Sequence, residues 1–366
     1  MMHKADMVMD FQYGSTGKGL IAGYLAKRND YDTAVCSFAT NAGHTYIDKS
    51  RDLNVMTQQL PTAITSDSVK VILLGPGSLI HWETLRGELE RYGHFMNRKA
   101  LIIHPHAAIV EDYHAESERT TGRTKMGSTG KGVGDAMIER ILRGPDANIA
   151  GLRHPAWAAE FIGSQEEYRQ AMDSAESIII EGAQGFSLSL YHGQYPYTTS
   201  RDVTPWQIAA DCGIPMKWAS YIQVIGSMRT FPIRVNNRDG YSGPSYPDQQ
   251  EISWDQIGIE PELTTVTKLP RRLFTFSHEQ FQQALWHCGG YWKTKLFLNF
   301  ANYLKHDILV QELIQELERS KPMNMNHAKV EWIGFGADDN QVMARGEWDN
   351  HLTNHLHIAD SEGGLL

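Results

Sequence analysis

An α/β fold with a mostly parallel, covered sheet is predicted by three features of this 366-residue chain. The first is "ADMVMDFQYGSTGKGLIAGYLAKRN", which reads as a short buried strand, a Gly-rich loop and a helix. The second is a series of short apolar, β-rich runs with little alternation, as in "VKVILLG" and "SIIIEGAQG". Strands covered on both faces read this way. The third is the helical patterns lying between several of those runs.

The elements follow in order. "TAVCSF" is a second strand, and "NAGHT" (41–45) lies just beyond it. "VKVILLG", "ALIIHPHAAIV", "SIIIEGAQG", "YIQVIGSM", "LFLNF" and "VEWIGFG" continue the strand set. "HWETLRGELERYG" and "HDILVQELIQELERSK" carry helical spacing. "VNNRDGYSGPSYPDQQE" (235–251) is rich in turn formers and reads as a long surface loop. No linker-like stretch or charge block divides the chain, so residues 1–366 are expected to form a single domain.

Composition excludes several classes. Hydrophobic residues at 41% and charged residues at 21% are globular values. No apolar run has transmembrane length and the N-terminus lacks a signal-peptide core, so no membrane role is expected. Cys36, Cys212 and Cys288 form neither a disulfide framework nor a zinc motif, which fits a reducing cytoplasm. A formal net charge of −9 argues against a nucleic-acid surface but allows a small basic nucleotide pocket.

"GSTGKG" occurs twice, at 14–19 and at 127–132. The first copy is not a Walker A loop, which needs GxxxxGK[ST]. A Gly-rich loop between strand and helix either aims backbone N–H groups at an anion or is only a tight turn. The second copy puts the Ser128 and Thr129 hydroxyls at a helix start and Arg143 at that helix's end. That arrangement suits a monophosphate, or is an ordinary cap with a solvated arginine. The flanks differ, "DFQY" before one copy and "RTKM" before the other, which favours two sites over a duplicated module. His44 can donate to developing phosphate charge or be a surface histidine. Gln184 in "EGAQG" can read a heterocycle edge, and "YPYTTSRD" supplies Thr199. "TTVTKLPRRL" (264–273) joins hydroxyls to Arg271 and Arg272, a set able to clamp a dicarboxylate or form a basic turn.

Taken in order, "QYGSTGKG", "NAGHT", "GSTGKG", "EGAQG", "HGQYPYTTS" and "TTVTKLPRR" resemble the adenylosuccinate synthetase family, over residues 5 to about 345. The resemblance implies a fold related to P-loop NTPases, with smaller helical and loop subdomains. It implies amination of a purine at its 6-position: the 6-oxygen is phosphorylated, then displaced by L-aspartate. Carried over by position, Ser15, Thr16, Gly17, Lys18, Gly19, Gly43, His44, Thr45, Arg271 and Gly336 hold the nucleoside triphosphate. Ser15, Asn41, Ser128, Thr129, Arg143, Gln184 and Thr199 hold the purine nucleotide, with Arg143 reaching across a homodimer. Thr265, Val266, Thr267 and Arg271 form the aspartate loop. Mg²⁺ is the implied cofactor, beside Ser15 and the Gly43 carbonyl. Ser15, Lys18 and His44 are the implied catalytic residues.

The chain departs from that pattern. The family's first loop reads GDEGKG, and its Asp, the proposed base, is Ser15 here. A shorter residue leaves room for a purine 2-amino group. This resembles the phage branch of the family, which joins dGMP to aspartate on the route to 2-aminoadenine. Leu269 stands where the family has an Arg near the ribose, which fits a deoxyribose. "NFAN" (299–302) and "GFGA" (334–337) lack the family's guanine-reading carboxylate, so ATP or dATP is expected rather than GTP. The alternative is an ordinary synthetase acting on IMP with GTP.

Overall fold

The computed structural model describes residues 3–237, 241–264, 268–289, 294–320 and 328–361. Its centre is a nine-stranded sheet. The strands in chain order are β1 (Lys4–Asp10), β2 (Thr33–Cys36), β3 (Val71–Leu74), β4 (Ala100–Ile103), β5 (Ser177–Gly185), β6 (Ile222–Arg229), β7 (Lys295–Asn299), β8 (Lys329–Gly334) and β9 (Val342–Ala344). Across the sheet they run β9-β8-β7-β6-β1-β5-β2-β3-β4. Every neighbouring pair is parallel except β8 with β9.

Side-chain alternation explains why these strands read as continuous apolar runs. Ala5, Met7, Met9, Ile178, Ile180, Val224, Met228, Leu296 and Leu298 lie in one core cluster. Val8, Ile179, Ile225 and Phe297 lie in another, on the opposite face. Both faces are therefore buried, as a sheet covered by helices requires. Helix α1 (Lys18–Arg28) covers one face through Leu20, Ile21 and Leu25. The helices Gln165–Ser174, His278–Cys288 and Asp307–Arg319 cover the other, through Tyr168, Phe281, Leu285, Ile314 and Leu317. Burying each such side chain contributes about 1.5–3 kcal/mol.

The topology places the site. From β1 the chain crosses to β2 and moves outward through β3 and β4. It then returns to insert β5 beside β1, and moves outward on the far side through β6, β7 and β8. The order reverses at β1, and ligands of open α/β sheets sit beyond the carboxyl ends of strands at such a point. The loops after β1, β2, β5, β6 and β7 all emerge there.

Two expectations are corrected. "ALIIHPHAAIV" is not one strand: it breaks after Ile103, and Ala108–Ile109 pairs with Leu79–Ile80 in a separate two-stranded sheet. The 235–251 segment is not simply a surface loop. Ser242, Tyr246 and Gln249 are buried, because Arg234 and Arg272 each draw in carbonyls of residues 242–244. Turn-forming composition marks a loop; it does not reveal two guanidinium groups that need acceptors.

Candidate active site

The first GSTGKG loop is built around Asp10, the last residue of β1, which is fully buried. Its Oδ1 accepts the Gln12 and Gly14 amides at 2.8 and 3.2 Å. Its Oδ2 accepts the Thr16 hydroxyl at 2.5 Å and Lys18 Nζ at 3.3 Å. The chain turns through left-handed backbone at Gly14 (φ 101°), Ser15 (φ 57°) and Gly17 (φ 95°). Serine tolerates that region less well than glycine, so its presence at the exposed loop tip has a cost. Among the described residues the amides of Ser15 to Gly19 have no hydrogen-bond acceptor. The loop therefore presents an unpaired set of N–H groups at the start of α1, an anion cradle.

Gly19 stands where a Walker A loop carries Ser or Thr. A Cβ there would lie 2.8 Å from the Thr45 backbone nitrogen and oxygen. The glycine lets the strand His44–Asp48 close directly on the loop. His44 is thereby held deep, 3% exposed and stacked on Phe38 with ring centroids 3.8 Å apart. Its Nδ1 lies 2.8 Å from Glu181 Oε1 on β5. Its Nε2 is buried with no partner among the described residues. A buried polar atom left so costs about 1–3 kcal/mol, which marks a place where a ligand oxygen would be welcome.

Gly185, at the end of β5, crosses the first loop so closely that a Cβ would sit 2.3 Å from the Gln12 carbonyl. Gln184, also left-handed, donates to Asn41 at 3.1 Å, which joins "EGAQG" to "NAGHT". Thr199 is tied by its amide to the Leu188 carbonyl. Gly43 and Thr45 are exposed beside His44.

Arg229, the last residue of β6, is fully buried. It donates to the Ser15 carbonyl at 3.2 Å, pairs with Glu262, and stacks 3.8 Å over Phe300. Glu262 accepts the Arg271 amide through its own carbonyl, so the backbone at Arg271 is tied through Arg229 to the first GSTGKG loop. Burial would raise the Glu262 carboxyl, but Arg229 and Tyr303 outweigh it and hold it below the usual range. Burial lowers the Arg271 guanidinium, with Glu262 opposing. Thr265, Val266 and Thr267 lie outside the described residues. Gly336 packs against Gln341, and Gly334 against Asn299, whose amide holds the Thr16 carbonyl. Ala301, in the segment that carries no carboxylate, is buried in the core.

The second GSTGKG has a different setting. It follows the helix Asp112–Thr120 and opens the helix Val133–Leu142. Its helix start is already capped: Glu118 accepts the Gly132 and Gly134 amides at 2.9 and 3.3 Å, and Ser128 Oγ lies 3.3 Å from the same carboxylate. Ser128 and Thr129 remain exposed, although the Ser128 hydroxyl donates to Glu118 and accepts the Gly130 amide at 3.2 Å. Arg143 is the exposed, left-handed cap of that helix (φ 55°), with Ile141 and Leu142 exposed beside it. No hydrogen bond among the described residues joins Ser128, Thr129 or Arg143 to the first loop.

Sequence reading passed over Asp10, Glu118, Glu181, Arg229 and Glu262. Glu181 was visible inside "EGAQG", and Asp10 at the polar end of an apolar strand. Among the described residues no group of three or more His, Cys, Asp or Glu is placed to hold a metal ion, and no helix is long and apolar enough to cross a membrane.

The adenylosuccinate synthetase family model matches residues 7–162 and 155–289. The chain is 42% identical over 349 residues to N6-succino-2-amino-2'-deoxyadenylate synthase of Vibrio phage phiVC8, covering 94% of this chain and 99% of that protein. It superposes on the cyanophage S-2L succinoaminodeoxyadenylate synthetase bound to dGMP and dATP as an energy donor. The TM-score is 0.87 at 37% identity, covering 97% of this chain and 99% of the other. Adenylosuccinate synthetase from Plasmodium falciparum shares the fold, with TM-score 0.73 at 19% identity, covering 93% of this chain and 99% of the other.

Proposed function

Because the chain belongs to the adenylosuccinate synthetase family, we propose that it is a ligase joining L-aspartate to C6 of dGMP, with ATP or dATP as phosphoryl donor. The product is the succinylated precursor of 2-amino-2'-deoxyadenylate for phage DNA. The observation that carries this reading is Ser15. It stands exposed at the tip of the first loop, where the family has an aspartate, in a chain 42% identical to a phage synthase of that name.

In this reading the amides of Ser15, Thr16, Gly17, Lys18 and Gly19 cradle the triphosphate, and Lys18 leaves Asp10 to meet the γ-phosphate. Thr45, Arg271 and Gly336 complete that site. Asn41, Gln184 and Thr199 hold the purine and sugar, Ser128 and Thr129 the 5'-phosphate. Thr265, Val266, Thr267 and Arg271 hold L-aspartate. The γ-phosphoryl group passes to O6 with the nucleoside diphosphate as leaving group, and N1 gives up its proton to water. The aspartate amine then attacks C6, and phosphate leaves with the former 6-oxygen. His44 Nε2 donates to the oxygens on which negative charge develops.

Ser15 and the Gly43 carbonyl fit Mg²⁺: both offer neutral hard oxygens, and this ion keeps waters and takes further ligands from phosphates. With Mg²⁺ bound, charge on the transferring group is spread. The chain works as one domain, 1–366, in the cytoplasm of the host cell. It acts as a homodimer, with Arg143 reaching the partner's nucleotide; the exposed Ile141 and Leu142 beside it support an interface there.

A substrate matrix tests the reading: dGMP, GMP, IMP and dIMP against ATP, dATP and GTP, with phosphate release and aspartate incorporation followed together. Turnover is expected with dGMP and an adenine nucleotide. Faster turnover of IMP with GTP would overturn it in favour of an ordinary synthetase.

A further inference from the structure

We propose that Asn299 is a positioning residue that, with Ser227, turns the amides of the first GSTGKG loop toward the triphosphate; this rests on the reading that this loop holds the triphosphate. Asn299 ends β7 and is 2% exposed, and Ser227, near the end of β6, is fully buried. Asn299 Nδ2 donates to the Thr16 carbonyl at 3.1 Å, and Ser227 Oγ donates to the same oxygen at 3.0 Å. One residue earlier, Arg229 Nη1 donates to the Ser15 carbonyl at 3.2 Å. Two consecutive carbonyls of the loop are thus drawn onto the ends of β6 and β7.

A trans peptide is planar, and its N–H points away from its C=O. The Ser15 carbonyl shares a peptide plane with the Thr16 N–H, and the Thr16 carbonyl with the Gly17 N–H. Drawing both oxygens toward the strand ends turns both N–H groups away from them, and among the described residues neither N–H has an acceptor. Donors aimed together at the start of a helix are what a phosphate oxygen needs. The Asn299 amide is oriented from its other end. Its Oδ1 lies 2.8 Å from the Phe300 backbone nitrogen, whose N–H only donates, so Nδ2 is the atom that faces Thr16. The amide fills a slot between two glycines. A Cβ on Gly17 would lie 2.2 Å from Nδ2, and one on Gly334 would lie 2.2 Å from Oδ1. Both ends of the amide are therefore engaged inside the protein rather than offered to a base. The first residue of "NFAN" serves the phosphates.

Asn299→Leu tests this, because it keeps most of the volume and removes the donor. Two ligands are titrated into the full chain by calorimetry: ATP, and inorganic tripolyphosphate, which offers phosphates without a base. Both Kd values should rise about 10- to 100-fold, the worth of a well-aimed hydrogen bond to a charged group. Binding of dGMP, which the second loop holds, should be unchanged. In turnover, kcat/KM for ATP should fall by the same factor while KM for L-aspartate stays as it is. Ser227→Ala removes the other donor to Thr16; it should raise both Kd values by a smaller factor, and serves if Asn299→Leu does not fold. Weaker ATP binding with tripolyphosphate unaffected would place Asn299 at the base and overturn the proposal. So would an equal loss of dGMP binding, which marks general damage, or unchanged affinity for both phosphate ligands. Crystal structures of wild type and Asn299→Leu separate the proposal from the reading beneath it. The Thr16–Gly17 peptide should turn in the variant, and an unturned peptide overturns the proposal. A peptide that turns in a protein whose wild type binds neither ATP nor tripolyphosphate upholds the positioning role and rejects the triphosphate site instead.

Discussion

Lys18 Nζ lies 3.3 Å from Asp10 Oδ2, with both side chains buried. The ammonium is therefore held on a buried carboxylate, and under the proposed function it exchanges Asp10 for a phosphate when the triphosphate binds. Lys18→Ala should lower kcat by about 10²–10³-fold, as loss of a donor to developing phosphoryl charge does. It also strands a buried carboxylate, although Gln12, Gly14 and Thr16 still donate to Asp10. A stability loss near the low end of the range for a broken buried pair, about 3 kcal/mol, is expected in urea unfolding. Lys18→Ala combined with Asp10→Asn should recover most of that stability and none of the rate. Recovery of neither would mean that Asp10 does not balance Lys18.

The sheet and its loops were legible because they rest on local signals: apolar runs covered on both faces, glycines at turns, helical spacing. The pairings between motifs were not. His44 and Glu181 are 137 residues apart, and meet because β5 inserts between β1 and β2. Nothing in "NAGHT" or "EGAQG" states that order. Asp10 looked like the tail of a strand, because its partners lie in the turn that follows rather than at a helical or strand period. The residues of the second loop leave open whether its helix start is capped; Glu118, nine residues before the loop, caps it. A cap supplied from a neighbouring helix leaves no mark in the loop's own residues.

Ser15 is predicted to select the purine. Its φ of 57° lies in a region that aspartate also tolerates, so Ser15→Asp tests chemistry rather than backbone strain. Asp restores the family's carboxylate but enlarges the side chain where a 2-amino group would sit. Crowding costs about 1–3 kcal/mol, or about 5- to 150-fold in kcat/KM. The dGMP-to-dIMP ratio of kcat/KM should fall in Ser15→Asp. An unchanged ratio would remove Ser15 as the determinant. Ser15→Ala separates the roles: loss of kcat on every substrate means the hydroxyl orients a reacting group, and retention of the dGMP rate means it only makes room.

Arg143 closes its helix in an exposed position, flanked by Ile141 and Leu142, and makes no hydrogen bond to the first loop among the described residues. If it acts in the partner's site, chains carrying Arg143→Ala and chains carrying Lys18→Ala, each inactive alone, should regain activity when mixed. In the hybrid dimer one of the two sites keeps both groups, so up to half the wild-type activity per hybrid is expected. No recovery, with subunit exchange verified by tagged chains, would place Arg143 outside the partner's site.

Glu262 offers a test by pH. Its carboxylate pairs with the buried Arg229, accepts from Tyr303 at 2.9 Å, and through its backbone anchors Arg271. Burial alone would raise the carboxyl, but these partners prevail and depress it. A depressed folded-state value means that the unfolded chain binds the proton more readily. The stabilisation is thus present above the ordinary glutamate value of about 4.3 and is lost as pH falls through the folded value. Glu262→Gln removes this contribution at every pH and leaves the Arg229 guanidinium buried with the Ser15 carbonyl and no anion. The Tm gap between wild type and Glu262→Gln should be widest near pH 6 and close as pH is lowered from about 5 toward 3. The same substitution loosens the root of the aspartate loop, so KM for L-aspartate should rise more than KM for the triphosphate at neutral pH. A Tm gap independent of pH would show that the carboxylate's charge is not what Arg229 requires. Equal changes in both KM values would show that Glu262 acts on the site as a whole rather than on the aspartate loop.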